Sequence, residues 1–411
     1  MQLTAEEEAL AAGSVGPAVK WAMDYQLAVG RFFGAQRFVQ VRSAHAHCDG
    51  EALGEPGVRF LEDLADQGAR TRIPLTLDPR STDFSCALEI GQDESIVDIE
   101  RRILAAMVRM GAMPTNTCIN YQTVDVPHGG EHLAWGDTGT VIYANAVAGS
   151  RSNFEGGPAA VAAALTGRVP EYGFHLDECR RGTVLVELAE EPRNASDWGA
   201  LGCLVGRRFP GYWEVPVIDG GQRNPGPDEV KQLGAALASY GSHAMFHLVG
   251  VTPEARTRAD AFGGNEPWAS MRIDRAALES AYLSFPAGGA APDIVVFGTP
   301  QLSTFELAEL AALFEGRTAR CPVFATTSAA VLRSAEEYGY AETLRAAGVR
   351  LLSGVCFYLM TARDLARRNN LRTIVTNSAK LANIVGGYGY TPVFRTTEAC
   401  VDAAVNARIV G

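Results

Sequence analysis

The chain has 411 residues, 47% hydrophobic and 20% charged, a balance that suits packed cores and argues against long disorder. Its formal charge of -11 and pI near 5.2 speak against nucleic acid or an anionic membrane as the main partner, while leaving room for a small anionic substrate in a local basic pocket. The length exceeds one ordinary core and predicts two to three α/β lobes, roughly residues 1–220 and 221–411.

Met1 to Glu8 lacks the basic and apolar regions of a signal peptide, and no apolar run approaches the ~20 residues that span a bilayer. A cytoplasmic location is the expectation. Thr4 and Glu7 predict a capping box ahead of an Ala/Leu-rich helix, and Ala18 to Phe33 continues with helical apolar spacing. Arg37 to Val41 reads as a strand. In the middle of the chain Thr140–Tyr143, Thr183–Leu188 and Ala244–Val249 read as strands, and the polar stretch Asp219–Asp228 as a surface loop or lobe boundary.

The last third alternates regularly. Asp293–Phe297 reads as a buried strand, followed by a turn at Gly298–Gln301 and a capping box at Ser303 and Glu306 before a helix from Leu307 to Phe314. Val323–Thr326 is the next strand, then a helix from Ala329 to Tyr338. Thr373–Thr376 is a strand, and Thr397–Arg408 a closing helix. Short apolar strands alternating with helices imply a parallel α/β layer. In such layers ligands bind at the carboxyl edge. That edge falls at Gly298–Ser303, Thr326–Ser328, Ser353–Cys356 and Thr376–Lys380.

Eight cysteines are scattered with no Cys-x-x-Cys pair, so neither a disulfide framework nor a local zinc ribbon is indicated. Dinucleotide, P-loop, His-Glu-x-x-His and Gly-x-Ser-x-Gly signatures are missing, which weakens four large enzyme classes. The chemically richest stretch runs from Thr115 to Gly157 and holds Cys118, Asn120, Tyr121, Glu131, His132, Asn145, Ser150 and Arg151 among many glycines. Arg151 offers a bidentate fork for a carboxylate or phosphate, and Glu131 with His132 a proton-transfer pair. The plain alternative is a structural Glu-His turn and a surface arginine. Asn377-Ser378-Ala379-Lys380 forms either an anion site or an ordinary helix cap. His45 and His247, on apolar strands, read as satisfied core residues, and Cys356 as a ligand or a buried thiol.

Taken together, these segments resemble the large subunit of aconitase X. The match rests on Ser43-Ala44-His45, Pro74 to Pro79, Gly130-Glu131-His132 with Ala134-Trp135, and Tyr143 through Gly157. It continues in His247 through Ala255, Asn377 to Lys380, and Glu398-Ala399-Cys400-Val401. The resemblance implies an aconitase-like, multi-lobed core of parallel sheets flanked by helices. It implies a hydro-lyase that dehydrates a small carboxylate- or phosphate-bearing hydroxy acid, of the cis-3-hydroxy-L-proline or mevalonate 5-phosphate class. A small swivel-domain subunit carrying a catalytic serine is the expected partner, outside these 411 residues.

The resemblance also implies an iron or iron–sulfur centre held by three cysteines. By position these fall on Cys118, Thr299 and Cys356, so one thiol is replaced by a hydroxyl. Gln301 stands where a histidine is expected, and Gly354-Val355 where the family has Asp-Thr. A threonine is a poor ligand for iron in such a cluster. The catalytic group expected from the resemblance is Glu131, His132 and Lys380. The substrate-binding group is Ser43, His45, Asn120, Tyr121, Asn145, Ser150, Arg151, Asn377, Ser378 and Lys380. Two alternatives follow from the altered ligand set: a cluster-independent isomerase or cyclase, and a non-catalytic paralogue that binds a small acid.

Overall fold

Three parallel sheets follow one another along the chain, each made of short, largely buried strands. The computed structural model describes residues 1–221, 224–286 and 291–409, so positions 222 and 223 of the Asp219–Asp228 stretch lie outside the described residues. In the first sheet Ala44–Ala46 lies between Leu75–Leu77 and Ala134–Trp135. Every residue of these strands is buried, as expected for a parallel sheet covered on both faces. The second sheet orders His247–Leu248, Pro216–Asp219, Val184–Leu188 and Ala269–Ile273. The third orders Val349–Ser353, Val323–Thr327, Ile294–Leu302, Thr373–Thr376 and Thr391–Phe394. Phe38–Gln40 pairs separately and antiparallel with Arg168–Pro170.

This is the α/β layering expected from the alternation of strands and helices. The capping boxes at Thr4/Glu7 and Ser303/Glu306 both form, and the helices they start run Ala5–Ala11 and Thr304–Phe314. Thr140–Tyr143 differs: it belongs to a helix, Thr138–Tyr143. The Asp137 carboxylate accepts from the Gly139 and Thr140 N–H groups and starts the turn, and Val141 and Ile142 are wholly enclosed. A buried apolar run has no polar face to reveal its period, so capping and burial outweigh β-branched propensity. The Ala244–Val249 strand shortens to His247–Leu248, although Ala244, Met245 and Phe246 are fully buried.

The third sheet contains the feature that shapes the site. Ile294–Leu302 pairs with Val323–Thr327 in register up to Phe297 opposite Ala325, and pairing resumes only at Leu302 opposite Thr327. Gly298 to Gln301 therefore bulge out of the ladder at its carboxyl end. Gly298 has φ +114, and a Cβ there would fall on the Thr326 hydroxyl, so only glycine suits the position. Thr299 takes φ +82, an outlier for a β-branched residue, which persists only where the surroundings hold it.

Two buried carboxylates away from the site test how charge is managed. Glu7 is paired with Arg168 at 2.9 Å. Glu155, 5% exposed, has no such cation, and burial pushes its carboxyl up to about 7. An unfolded glutamate titrates near ~4.3, so the folded chain holds a proton there that the unfolded chain has lost between the two values. Stability from this group is complete below ~4.3 and is lost as pH rises through 7, by about 3–4 kcal/mol. Glu155→Gln is therefore expected to raise the urea midpoint at pH 8 and leave it nearly unchanged at pH 4.5. Equal gains at both pH values would refute the assignment.

Candidate active site at the meeting of two sheet edges

The carboxyl ends of the first and third sheets deliver their following residues into one buried cluster. From the first sheet come His47 after Ala44–Ala46, Asp78 after Leu75–Leu77, and Asp137 two residues after Trp135. Gly136 is what lets the last of these approach, since a Cβ there would lie 2.6 Å from the Glu155 carbonyl oxygen and 2.9 Å from that of His45. From the third sheet come Thr299 and Gln301 on the bulge, Cys356 after Val349–Ser353, and Ser378 and Lys380 after Thr373–Thr376. Cys118 enters from the loop after the helix Glu94–Met110.

Contacts tie these groups together. The Thr299 Oγ1 and Cys356 Sγ atoms are 3.1 Å apart, and the Gln301 N–H donates to Cys118 Sγ at 3.3 Å. Ser378 Oγ donates to the Thr299 carbonyl and accepts from the Leu381 N–H, so it both braces the bulge and caps its own helix. Gln301 Nε2 donates to the carbonyls of Asn116 and Val355, linking all three cysteine-position loops. Lys380 Nζ lies 3.5 Å from Asp137 Oδ1 and 5.9 Å above the Tyr358 ring.

On the first-sheet side, His47 is gripped by two carboxylates, Asp78 Oδ2 at 2.5 Å and Asp49 Oδ2 at 3.1 Å. His45 Nε2 is 3.2 Å from Asp78 Oδ1, and its Nδ1 is 2.7 Å from Thr76 Oγ1. Donor atoms of His47, Asp78 and Asp137 all lie within 4.8 Å of one another, a possible metal-binding triad.

Charge is unusually dense for a buried place. Burial opposes a proton on His47, but Asp49 and Asp78 outweigh it and hold the imidazole well above its ordinary pKa. Burial likewise opposes the charge on Lys380, yet Asp137 and then the two thiols hold it above the usual lysine range. Asp78 is held down against burial by His45 and His47. Burial, then Cys356 beside it, pushes the Cys118 thiol well up. Perturbed groups packed this closely are a marker of functional sites.

The other residues expected at a site have identifiable places. Ser43 Oγ accepts from Trp135 Nε1 at 3.2 Å. Asn145 Nδ2 donates to the Ser152 and Ala244 carbonyls, while its Oδ1 accepts from the Ser152 N–H, which locks the turn after the helix. Ser150 Oγ donates to the His128 carbonyl. Arg42 pairs with Glu131 at 2.9 Å, and His132 Nδ1 faces His175 Nδ1 at 2.9 Å. Arg151 pairs with Asp177 and donates to the His175 carbonyl, on the rim of a separate cleft of about 480 Å³ that His247 also lines. Among the described residues no hydrogen bond or ion pair joins Glu131, His132 or Arg151 to the thiol–lysine cluster.

Asn120 is fully buried with both ends of its amide unpaired, and the Tyr121 ring stacks on Tyr143 at 4.0 Å with its hydroxyl unpaired. Asn377 Nδ2 donates to Thr397 Oγ1 at 3.0 Å, and its buried Oδ1 has no partner. His47, Asp78 and Asp137 were not anticipated from the sequence. Each follows a strand of the first sheet, as Cys356 and Ser378 follow strands of the third, but first-sheet strands of two or three residues carry no period that marks them in the sequence.

Donor chemistry limits the centre. Clusters of iron and sulfide are held by cysteine sulfur. The seat that the resemblance implies for such a cluster has two thiols and the Thr299 hydroxyl, and does not fit it. The nitrogen and oxygen donors of His47, Asp78 and Asp137 are of the type that holds a single ion rather than a cluster.

Comparison with known proteins covers the whole chain. Family models for aconitase X match in three successive parts: the first domain over residues 1–178, the second over 182–283 and the third over 292–406. The chain is 38% identical to a cis-3-hydroxy-L-proline dehydratase of Pseudomonas aeruginosa, over 99% of this chain and 70% of that protein. It is 34% identical to the phosphomevalonate dehydratase large subunit of Methanothermobacter thermautotrophicus, over 93% of each. The crystal structure of Thermococcus kodakaraensis aconitase X, holo-form, superposes with a TM-score of 0.89 at 30% identity, covering 98% of this chain and 100% of that one.

Proposed function

The chain belongs to the aconitase X family, and from that premise we propose how its centre works: it is a hydro-lyase acting on a small hydroxy acid, and water is eliminated where the first and third sheet edges meet. The observation that carries the placement is Lys380, a 4%-exposed ammonium held between Asp137 and the Tyr358 ring beside two thiols. A cation buried at a sheet's carboxyl edge suits a ligand with negative charge.

Elimination of water from a hydroxy acid takes a proton from the carbon beside the carboxylate, and negative charge builds on that carboxylate in the transition state. Lys380 meets that charge. Ser378 fixes the backbone of the bulge so that the Thr299 and Gln301 groups face the reacting centre. Asn377 Oδ1 is a spare acceptor for a substrate hydroxyl or ammonium. Glu131, His132 and Arg151 act by position: their pairs with Arg42, His175 and Asp177 hold the wall formed by residues 128–153.

Of the two cofactor forms implied by the resemblance, cluster and single iron, the donor set supports the single ion. A bound ion would supply Lewis-acid assistance to the departing hydroxyl. The phosphomevalonate dehydratase relatives are named large subunits, which supports a small partner subunit, and the family resemblance implies that this partner carries the proton-abstracting serine. No helix among the described residues is long and apolar enough to cross a membrane.

The test is direct. The chain co-expressed with a small subunit is incubated anaerobically with cis-3-hydroxy-L-proline or with mevalonate 5-phosphate, and loss of water is read by mass spectrometry. Dehydration of either supports the reading, and no water loss from any small hydroxy acid sinks it. Thr299→Cys tests the ligand position: bound iron and acid-labile sulfide are expected to rise together. Unchanged content would mean that position 299 is not a ligand position.

A further inference from the structure

The location of a metal ion within this centre can be argued from donors that the family resemblance does not mention. His47, Asp78 and Asp137 stand on three strand ends of one small sheet, so their backbone positions are rigidly related. Their donor atoms lie within 4.8 Å of one another. Bonds of ~2.0–2.2 Å to one ion bring ligand atoms to roughly 3–4 Å from each other, so small side-chain rotations complete the approach.

Charge points the same way. Asp49, Asp78 and Asp137 are 0, 4 and 5% exposed, and Lys380 is the lysine set against them. Three carboxylates set against the Lys380 ammonium and a protonated His47 leave one negative charge in a place from which water is largely shut out, and a dication that displaces the His47 proton brings the sum to zero. Two polar atoms at the facing third-sheet edge, Gln301 Oε1 on the bulge and Asn377 Oδ1 beside Ser378, are buried with no hydrogen-bond partner. Orphans of this kind call for an ion or water that the chain itself does not supply.

We propose that His47, Asp78 and Asp137 are the seat of one divalent first-row metal ion, and that Cys118 and Cys356 flank it rather than hold it. Imidazole with carboxylates suits Fe²⁺, Mn²⁺ or Zn²⁺. The inference rests on the reading of this cleft as the reacting centre, but its test does not require turnover.

The full-length chain is stripped with a chelator and titrated anaerobically with MnCl₂, with binding followed by calorimetry and by the resonance of free Mn²⁺; ZnCl₂ serves as competitor. One Mn²⁺ per chain is expected, displaced by Zn²⁺. Asp137→Asn and His47→Gln are expected to weaken binding at least tenfold, and Cys356→Ala to leave it unchanged. Asp137→Asn strands Lys380 and can lower stability. His47→Gln, whose side chain is 24% exposed, is the variant to rely on once its melting curve shows a folded chain. Undiminished binding in folded His47→Gln, loss of binding in Cys356→Ala, or no uptake of Mn²⁺ or Zn²⁺ by the wild-type chain would each overturn the proposal. None of these outcomes bears on the dehydratase reading, which stands or falls on water loss.

Discussion

Lys380→Met is expected to lower kcat/KM for dehydration by roughly 10²–10³-fold, the scale on which a single preorganised donor to developing charge acts. Methionine keeps the length and packing of the side chain while removing the ammonium. The loss should appear in kcat as well as KM, because the charge on the substrate grows as the proton leaves. The substitution also strands Asp137, which is 5% exposed, and removing one partner of a buried pair costs about 3–5 kcal/mol. The double variant Asp137→Asn/Lys380→Met isolates the stability effect, since Asp137 is itself a proposed metal ligand. Its urea midpoint should recover most of that loss while its activity stays low. A double variant with wild-type kcat/KM would remove Lys380 from the mechanism.

Lys231→Met should produce the largest change in stability. This lysine has a wholly buried side chain paired with Asp228 at 2.8 Å and with Glu306, and it donates to the Gln301 carbonyl at 3.3 Å. Burial pushes the Glu306 carboxyl up to about 7 even though Lys231 pulls it down, whereas Asp228 sits below its ordinary value. The two acids thus differ although they share one cation. Asp228 is the fixed anion, because Ser303 and Gln122 also donate to it. Without the ammonium both acids are left beside each other, and a loss of about 3–5 kcal/mol is expected in denaturant unfolding. Adding Glu306→Gln should recover part of it. Activity should fall as well, since the lysine anchors the bulge that carries Thr299 and Gln301. A loss below 1 kcal/mol by the same measurement would show that the trio contributes little.

The fold was legible wherever a strand or helix carried its own signal. Val323–Thr327 and Thr373–Thr376 are apolar runs between turns, and both are found as strands. The helix at Thr138–Tyr143 was hidden because its central residues Thr140, Val141 and Ile142 are β-branched and fully buried, so neither period nor propensity marked it. The third-sheet half of the site was legible from the rule that ligands gather at carboxyl edges. The first-sheet half was not, because strands of two or three residues, such as Ala44–Ala46 and Ala134–Trp135, are too short to show a period. His47, Asp78 and Asp137 consequently looked like loop residues. Glu131, His132 and Arg151 drew notice by residue type and by the family resemblance, and the structure gives each a partner outside the thiol–lysine cluster.

The two thiols of the centre come from positions 118 and 356, a separation that matters while the chain is being made. At a synthesis rate of ~5–20 residues per second, roughly 12–48 s pass between the emergence of the first thiol and that of the second. Throughout that interval Cys118 lacks its neighbour, and for most of it also the bulge whose Gln301 N–H donates to it. Until the last third of the polypeptide arrives, the sulfur is open to oxidants that the finished molecule shuts out. Growth under oxidative stress should therefore damage newly made chains far more than chains already folded.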